Sequence, residues 1–451
     1  MSANPDGILR LPQVEQLLQK PIFAPYIRQL SRPLVTNAIR RTLADIRQQS
    51  SFRERGITID ALYSQLNDAC EYLINQRHSR VINATGTVVH TNLGRSPIDP
   101  ALWDSVAAVN TGYCNLEIKL SDGKRGQRKG ILSQLLSSLT GAEDGLVVNN
   151  NAASVYLLLN ELARGKEVIV SRGEQIQIGG GFRIPDILAL SGARLVEVGT
   201  TNITTADDYI NAITENTAMV LMVHCSNFVV RGFTESADIR DVARRLPKHV
   251  ILAVDQGSGL SSEKFAAHET PSDSYIRAGA DLVCFSGDKI LGGPQAGIIC
   301  GRRELIQKLE KNPLMRAFRP GRIIYSLLEE LLVRKLNRAP EGMGIAETTV
   351  THSEALERRA NEVAGALGDK VRLVPSQMVV GGGTLPDEYF PSWSLELQIE
   401  KQAEQVLADL RAMSLPVIGV IRNDKVQLNM AAVLPHELSA LIEQLRSYFG
   451  L

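Results

Sequence analysis

The sequence predicts an α/β protein: a large domain on a mostly parallel sheet, a helical N-terminal domain before it and a small α+β domain after it. Between Val81 and about Pro320, short β-branched apolar runs alternate with helical stretches. The residues before Val81 carry only three- and four-residue apolar spacing. From Gly321 a long helical stretch leads into strand-like segments with helices between them. The expected domains are therefore 1–80, 81–320 and 321–451.

The N-terminal segments LPQVEQLLQ, RPLVTNAIRRTLADIRQQ and IDALYSQLNDACEYLINQR repeat apolar residues at the period of an amphipathic helix. Residues 1–80 hold eleven Lys and Arg against seven Asp and Glu, about +4 in all. On charge alone, an ordinary solvated helical face outweighs a surface for a polyanion.

In the large domain, GLVVNN, KEVIVS, ARLVEV, TAMVLMVH, VILAVD and ADLVCFS read as strands buried on both faces. Helical segments such as ASVYLLLNELARG and ESADIRDVARRLPK separate them, which is the alternation of a parallel sheet covered on both sides. Ligands on such sheets bind beyond the carboxyl ends of the strands, so chemistry is expected immediately after each one. The C-terminal part opens with IIYSLLEELLVRKLN and continues with strand-like WSLELQIE, PVIGVIR and KVQLNMAAV.

Bulk properties narrow the function. With 451 residues, 44% of them hydrophobic, the chain can bury a large core. Lys plus Arg and Asp plus Glu are both 49, so no positive field over the whole chain marks a nucleic-acid binder. Cys70, Cys114, Cys225, Cys284 and Cys300 are scattered without a CxxC pair. That pattern fits reduced thiols in a cytoplasmic protein and neither a disulfide framework nor a metal site. The sequence shows no basic-then-apolar leader and no run of 18 apolar residues, so neither secretion nor a membrane span is expected.

The strongest local signal is ADLVCFSGDKILGGPQAG. A buried strand ends at Ser286, and Lys289 follows in a glycine-rich turn. A desolvated lysine favours its neutral, nucleophilic form, glycines let a flat ring or a phosphate approach the backbone, and Ser286 could bond that phosphate. In isolation the lysine would read as a surface residue in a turn. VILAVDQGSG changes the balance, because its strand ends in Asp255. A carboxylate there could pair with the pyridinium nitrogen of pyridoxal phosphate and keep the ring an electron sink. With no second carboxylate or histidine close in sequence, a metal is not expected. The third signal is LVVNNNAASVYLLLNEL, where a strand runs through Asn149 into Asn150, Asn151 and Ala152 at a helix start. Helix N-terminal amides can seat a phosphate, although Asn is also a good cap. Phosphate turn, then Asp, then Lys, each after a strand, matches the aminotransferase-like fold of pyridoxal-phosphate enzymes, with Lys289 as the Schiff-base lysine.

His224, Ser226 and Asn227 follow another strand in LMVHCSNFVVRGF and could line the cofactor pocket, although His224 reads equally well as a structural histidine. Arg95, Arg316 and Arg319 could clamp an anion with their planar forks, although such residues are more often surface ion pairs.

Several long segments carry a family resemblance: VINATGTVVHTNLGRSPI, YCNLEIKLSDGKRGQRKG, TGAEDGLVVNNNAAS, KEVIVSRGE with IGGGFRIPDI, VGTTN, SGDKILGGPQAGII and NPLMRAFR. Together they resemble the bacterial selenocysteine synthases, the L-seryl-tRNA(Sec) selenium transferases. The resemblance covers nearly the whole chain. It implies a cytoplasmic homodecamer of pyridoxal-phosphate fold type I that converts seryl-tRNA(Sec) to selenocysteinyl-tRNA(Sec) with selenophosphate. Lys289 would carry the internal aldimine, and the reaction would pass through an aminoacrylyl-tRNA. Arg95, Arg316 and Arg319 would bind the anionic group of the selenium donor, and the N-terminal domain would bind the tRNA. The chain departs from the family pattern at Pro320, Gly321 and Arg322, and at Val420-Ile421-Arg422 with LNMAAV. These departures support a second reading, a divergent pyridoxal-phosphate lyase or β-replacement enzyme acting on a free amino acid.

Overall fold

The computed structural model describes residues 11–178, 181–263, 265–266 and 269–451. The first ten residues of the expected N-terminal domain, and Gly179 and Gly180 of IGGGFRIPDI, lie outside them. The chain divides into two compact units, Met1–Val81 and Ile82–Leu451.

The first unit is helical. Val14–Leu18, Ala24–Leu30, Arg32–Gln48, Ser50–Arg55 and Ile59–Asn75 are its α-helices. In the helix Arg32–Gln48, Val35, Ile39, Leu43 and Ile46 form one buried stripe. It meets Leu62, Leu66 and Cys70 of the last helix. Thr58 starts that helix by accepting the Ala61 N–H at 3.2 Å. Arg40, Arg41 and Arg47 stay on the exposed side.

The second unit is organised around seven strands: β1 (Asp144–Val148), β2 (Glu167–Ser171), β3 (Arg194–Val198), β4 (Thr217–Val223), β5 (Ile251–Gly257), β6 (Leu282–Ser286) and β7 (Gly297–Gly301). Their order across the sheet is β1-β7-β6-β5-β4-β2-β3. The pairs β2/β3, β2/β4, β4/β5 and β5/β6 are parallel, and β7 runs antiparallel to both its neighbours. Side chains alternate between faces with a period of two. Val168, Val170, Leu282 and Cys284 join one core with the helix Asn151–Leu162. Val283 and Phe285 join another with the helices Pro100–Thr111, Leu132–Thr140 and Arg322–Leu336, and Ile169 a third with Tyr209. Burial on both faces is why the strands read as continuous apolar runs.

The six strand segments expected in this region are all present, and β7 is an addition. Its five residues, GIICG, follow a glycine-rich turn and are too short to stand out by periodicity. The helix Arg322–Leu336, grouped by the sequence with the C-terminal part, buries Leu327, Leu328, Leu331 and Leu332 in the large-sheet core.

A second sheet lies in the C-terminal part: β8 (Val371–Met378), β9 (Phe390–Leu397), β10 (Val420–Arg422) and β11 (Lys425–Asn429), all antiparallel in the order β8-β9-β11-β10. Strand β8 was not expected from the sequence because Pro375 interrupts it. A proline is tolerated there because β8 is an edge strand, with one side free of ladder bonds. The helices Glu354–Leu367, Ala403–Arg411 and Leu438–Phe449 cover this sheet through Val363, Leu410 and Leu441. No helix among the described residues is long and apolar enough to cross a membrane.

Candidate active site

The carboxyl ends of β1, β4, β5 and β6 open on one cavity of about 240 Å³. Arg95, Asn150, Asn151, Ala152, His224, Asp255, Ser286 and Lys289, all singled out in the sequence, line it together. Ser226 is there as well, with Ile176, Gly257 and Gln295. Asn227 is not among the lining residues; its amide donates to the Gln177 carbonyl at 3.1 Å.

Local chemistry explains each placement. Asn150 is the N-cap of the helix Asn151–Leu162, and its side chain accepts the Ala153 N–H at 2.9 Å. This leaves the first helical amides without intrahelical acceptors at the cavity wall. The helix end can sit this close to β7 because residue 297 is glycine: a Cβ there would lie 2.1 Å from the Asn150 carbonyl oxygen. On β5 the pairing with β6 shifts register between Asp255 and Gly257, a bulge at Gln256 beside the site. Gly257 supports the bulge with φ +71°. Asp255 faces the cavity, while Gln256 turns into a buried polar network.

Asp255 is buried, and Asn151 Nδ2 donates to its Oδ1 at 2.8 Å. The Cys284 thiol points at the same oxygen from 3.7 Å. Burial pushes the Asp255 carboxyl above the usual range, against the pull of Asn151 and Lys289. Lys289 is 5% exposed. Desolvation holds its amine below the ordinary lysine value, and the nearby Arg95 charge adds to that; Asp255, Asp288 and Glu269 oppose it. Arg95 has φ +64° and reaches Asp288, the residue before Lys289, with Nη1 2.9 Å from both carboxylate oxygens.

His224 Nε2 lies 2.8 Å from Glu269 Oε2. Burial alone would lower the imidazole, but Glu269, Asp255 and Glu174 together hold it above its ordinary value. Glu174, beside His224, is half-buried and pushed up to about 7 by desolvation, against hydrogen bonds from Val223 N–H and Tyr209.

Arg316 and Arg319 are not brought to this cavity. They line a separate cleft of about 450 Å³ with Glu117, Arg125 and Arg128. Arg319 approaches Glu117 at 3.5 Å, and Arg128 also pairs with that carboxylate. The cleft is tied to the turn before Asn150, because Asn149 N–H donates to the Phe318 carbonyl at 2.9 Å and its amide to that of Ala317 at 3.1 Å. Arg322, one of the departures from the family pattern, donates to the Gly112 and Asn110 carbonyls, each at 2.6 Å.

Sequence reading missed Gln256, Glu269, Asp288 and Glu174. Asp288 carried a signal, standing next to the lysine. Glu269 lies in a loop far from any strand end, and nothing in its neighbourhood marks it. Among the described residues no group of three or more His, Cys, Asp or Glu could hold a metal ion.

Comparison with known proteins follows the same lines. Residues 81–434 match the family model described as L-seryl-tRNA selenium transferase. Residues 10–47 match that described as selenocysteine synthase N terminal. The L-seryl-tRNA(Sec) selenium transferase of Alkaliphilus oremlandii is 36% identical, over 96% of this chain and 97% of its own. That of Aquifex aeolicus is 40% identical, over 84% of this chain and 86% of its own. Among solved structures, a D-glucosaminate-6-phosphate ammonia-lyase superposes with a TM-score of 0.57 at 21% identity. It covers 86% of this chain and 97% of its own, and shares the fold.

Proposed function

This chain belongs to the L-seryl-tRNA selenium transferase family, and on that basis we propose that it converts seryl-tRNA(Sec) to selenocysteinyl-tRNA(Sec), with selenophosphate as donor and pyridoxal 5'-phosphate as cofactor. The observation that carries the reading is the meeting of Lys289, Asp255 and the Asn150–Ala152 helix start in one buried cavity.

The cavity suits that cofactor. Asn151 Oδ1 is buried without a hydrogen-bond partner at the cavity wall, an acceptor awaiting a donor. Asp255 is a buried carboxylate raised by desolvation, which a cationic ring nitrogen would relieve. The helix start and Ser286 offer donors to a phosphate. When bound, pyridoxal phosphate supplies an electron sink for the seryl Cα–H bond and so opens the β-hydroxyl to loss.

The chain's own residues do the rest. Lys289 would hold the cofactor through Nζ, and the same atom is the one placed to take and return the Cα proton. Its lowered affinity for protons leaves more of the amine neutral and able to accept a proton. Its burial limits competing attack by water. Asp255 would pair with the ring nitrogen and favour its protonated form. Arg95, held by Asp288, faces the donor's anionic group. Because Arg316 and Arg319 lie in a different cleft, we assign them to the Lys289 cavity of a second copy in a homo-oligomer, where they would complete the donor site. The exposed arginines of the N-terminal unit supply the phosphate contacts to the tRNA.

The test is turnover with purified protein, seryl-tRNA(Sec) and selenophosphate. Formation of selenocysteinyl-tRNA, lost in Lys289→Ala, supports the reading. Cofactor binding without any response to the charged tRNA would overturn the substrate assignment.

A further inference from the structure

Glu269 does not line the cavity, yet it is 6% exposed and both its oxygens are engaged. Oε2 lies 2.8 Å from His224 Nε2. Oε1 accepts from Gln256 Nε2 at 3.2 Å. Gln256 is the bulge residue after Asp255, and its own Oε1 accepts the Gly259 N–H at 2.9 Å. The Glu269 carboxylate is therefore anchored to the strand that carries Asp255. His224 is tied to the same strand, its backbone N–H donating to the Asp255 carbonyl at 2.9 Å. The imidazole stands between two spaces: the 240 Å³ cavity and a neighbouring one of about 490 Å³ that reaches Glu174 and Thr204.

A carboxylate at hydrogen-bond distance obliges Nε2 to carry a proton, and its negative charge favours a second proton on the ring. We propose that Glu269 is a positioning residue: acting through His224 Nε2, it holds the imidazole as a fixed cation in the wall of the cofactor cavity. The inference deepens the proposed function and rests on pyridoxal phosphate being the ligand of that cavity. The charged groups facing His224 are Glu269, Asp255 and Glu174, with Lys289 and Arg95 across the same cavity. The elevated proton affinity of His224 agrees with the three carboxylates prevailing. A cation in this wall would stabilise negative charge on a bound pyridoxal-phosphate ring and so tune the cofactor electronically.

The experiment is a pH titration of the visible absorbance of pyridoxal phosphate bound to the full-length protein, with thermal unfolding run beside it to establish folding. The wild-type inflection that belongs to His224 moves to lower pH by a unit or more in Glu269→Gln, because the carboxylate that raises the imidazole is gone. Glu269→Asp, which keeps the charge, stays near wild type. His224→Asn lacks the inflection, and adding Glu269→Gln to it changes nothing further. An unshifted inflection in folded Glu269→Gln overturns the inference, as does a shift that persists in the His224→Asn background. If the wild-type protein itself shows no absorbance change with pyridoxal phosphate, the functional reading falls and the inference with it.

Discussion

Asn151 and Asp255, 104 residues apart in sequence, share a hydrogen bond of 2.8 Å from the Asn151 amide to Asp255 Oδ1. The Cys284 thiol occupies the same oxygen, so Oδ2 is the oxygen left for a ring nitrogen. Asn151→Ala removes a neutral donor from a buried carboxylate, a loss of about 1.5–3 kcal/mol. The expected outcome is weaker retention of pyridoxal phosphate, because an Asp255 carboxyl without that donor takes up a proton more readily and meets the ring nitrogen less well as an anion, read by fluorescence titration. Unchanged affinity would mean that Asp255 does not meet the cofactor.

Lys289 is expected to capture pyridoxal phosphate at lower pH than a free lysine does. Desolvation lowers its affinity for protons, so more neutral amine is present at any pH below the ordinary value of about 10.4. The rate of appearance of the bound-cofactor absorbance, followed against pH, should inflect below that value. Lys289→Ala should abolish the band.

Lys335 joins Glu263 at 2.6 Å and Glu347 at 3.0 Å in a buried network between the helix Arg322–Leu336 and the loop after β5. Lys335→Met leaves Glu263 buried without its cation and should cost about 3–5 kcal/mol in denaturant unfolding. Against the desolvation that would raise it, Lys335 and the backbone donors hold Glu263 below its ordinary value. Burial alone would lower Lys335, but the two carboxylates hold it above its own. The Glu263 contribution is thus complete above about pH 4.3 and is lost as pH falls through the lowered value. The Lys335 contribution is complete below about pH 10.4 and is lost as pH rises through the raised value. Thermal stability measured against pH should lose this plateau in Lys335→Met.

Arg316 and Arg319 should be separable from Lys289 by complementation. The double variant Arg316→Ala/Arg319→Ala should keep cofactor absorbance and lose selenium transfer. Mixed with Lys289→Ala protein under conditions that exchange subunits, it should regain part of the wild-type activity. No recovery in verified mixed oligomers would place the donor site within a single copy.

Arg40, Arg41 and Arg47 are exposed on the helix Arg32–Gln48. Replacing all three by Glu should weaken tRNA binding and flatten the dependence of log K on log salt by about 0.7–0.9 for each phosphate no longer neutralised. Pyridoxal-phosphate affinity should not change. An unaltered salt slope would direct the search for the tRNA surface elsewhere.

The candidate site was legible in the sequence where chemistry follows periodicity. Parallel α/β alternation puts the ends of apolar strands on one edge, so Asn150, Asp255, Ser286 and Lys289 could be gathered without knowing the strand order. Lys289 needed only its strand and its glycine turn; Asp255 needed only the β5 pattern. The long family segments then named the reaction class more sharply than any single residue could.

Sequence alone therefore carries local information: which runs are buried on both faces, where they end, and which titratable residue stands at each end. The pairings come from the packing of distant segments. The Asn151 side chain, expected beside a phosphate, bonds Asp255, and Glu269 reaches His224 from a loop 45 residues on. Arg316 and Arg319 fall in a cleft apart from Lys289. Hydrogen-bond partners and burial depend on which strands become neighbours, and no side-chain period along one segment encodes a neighbour a hundred residues away.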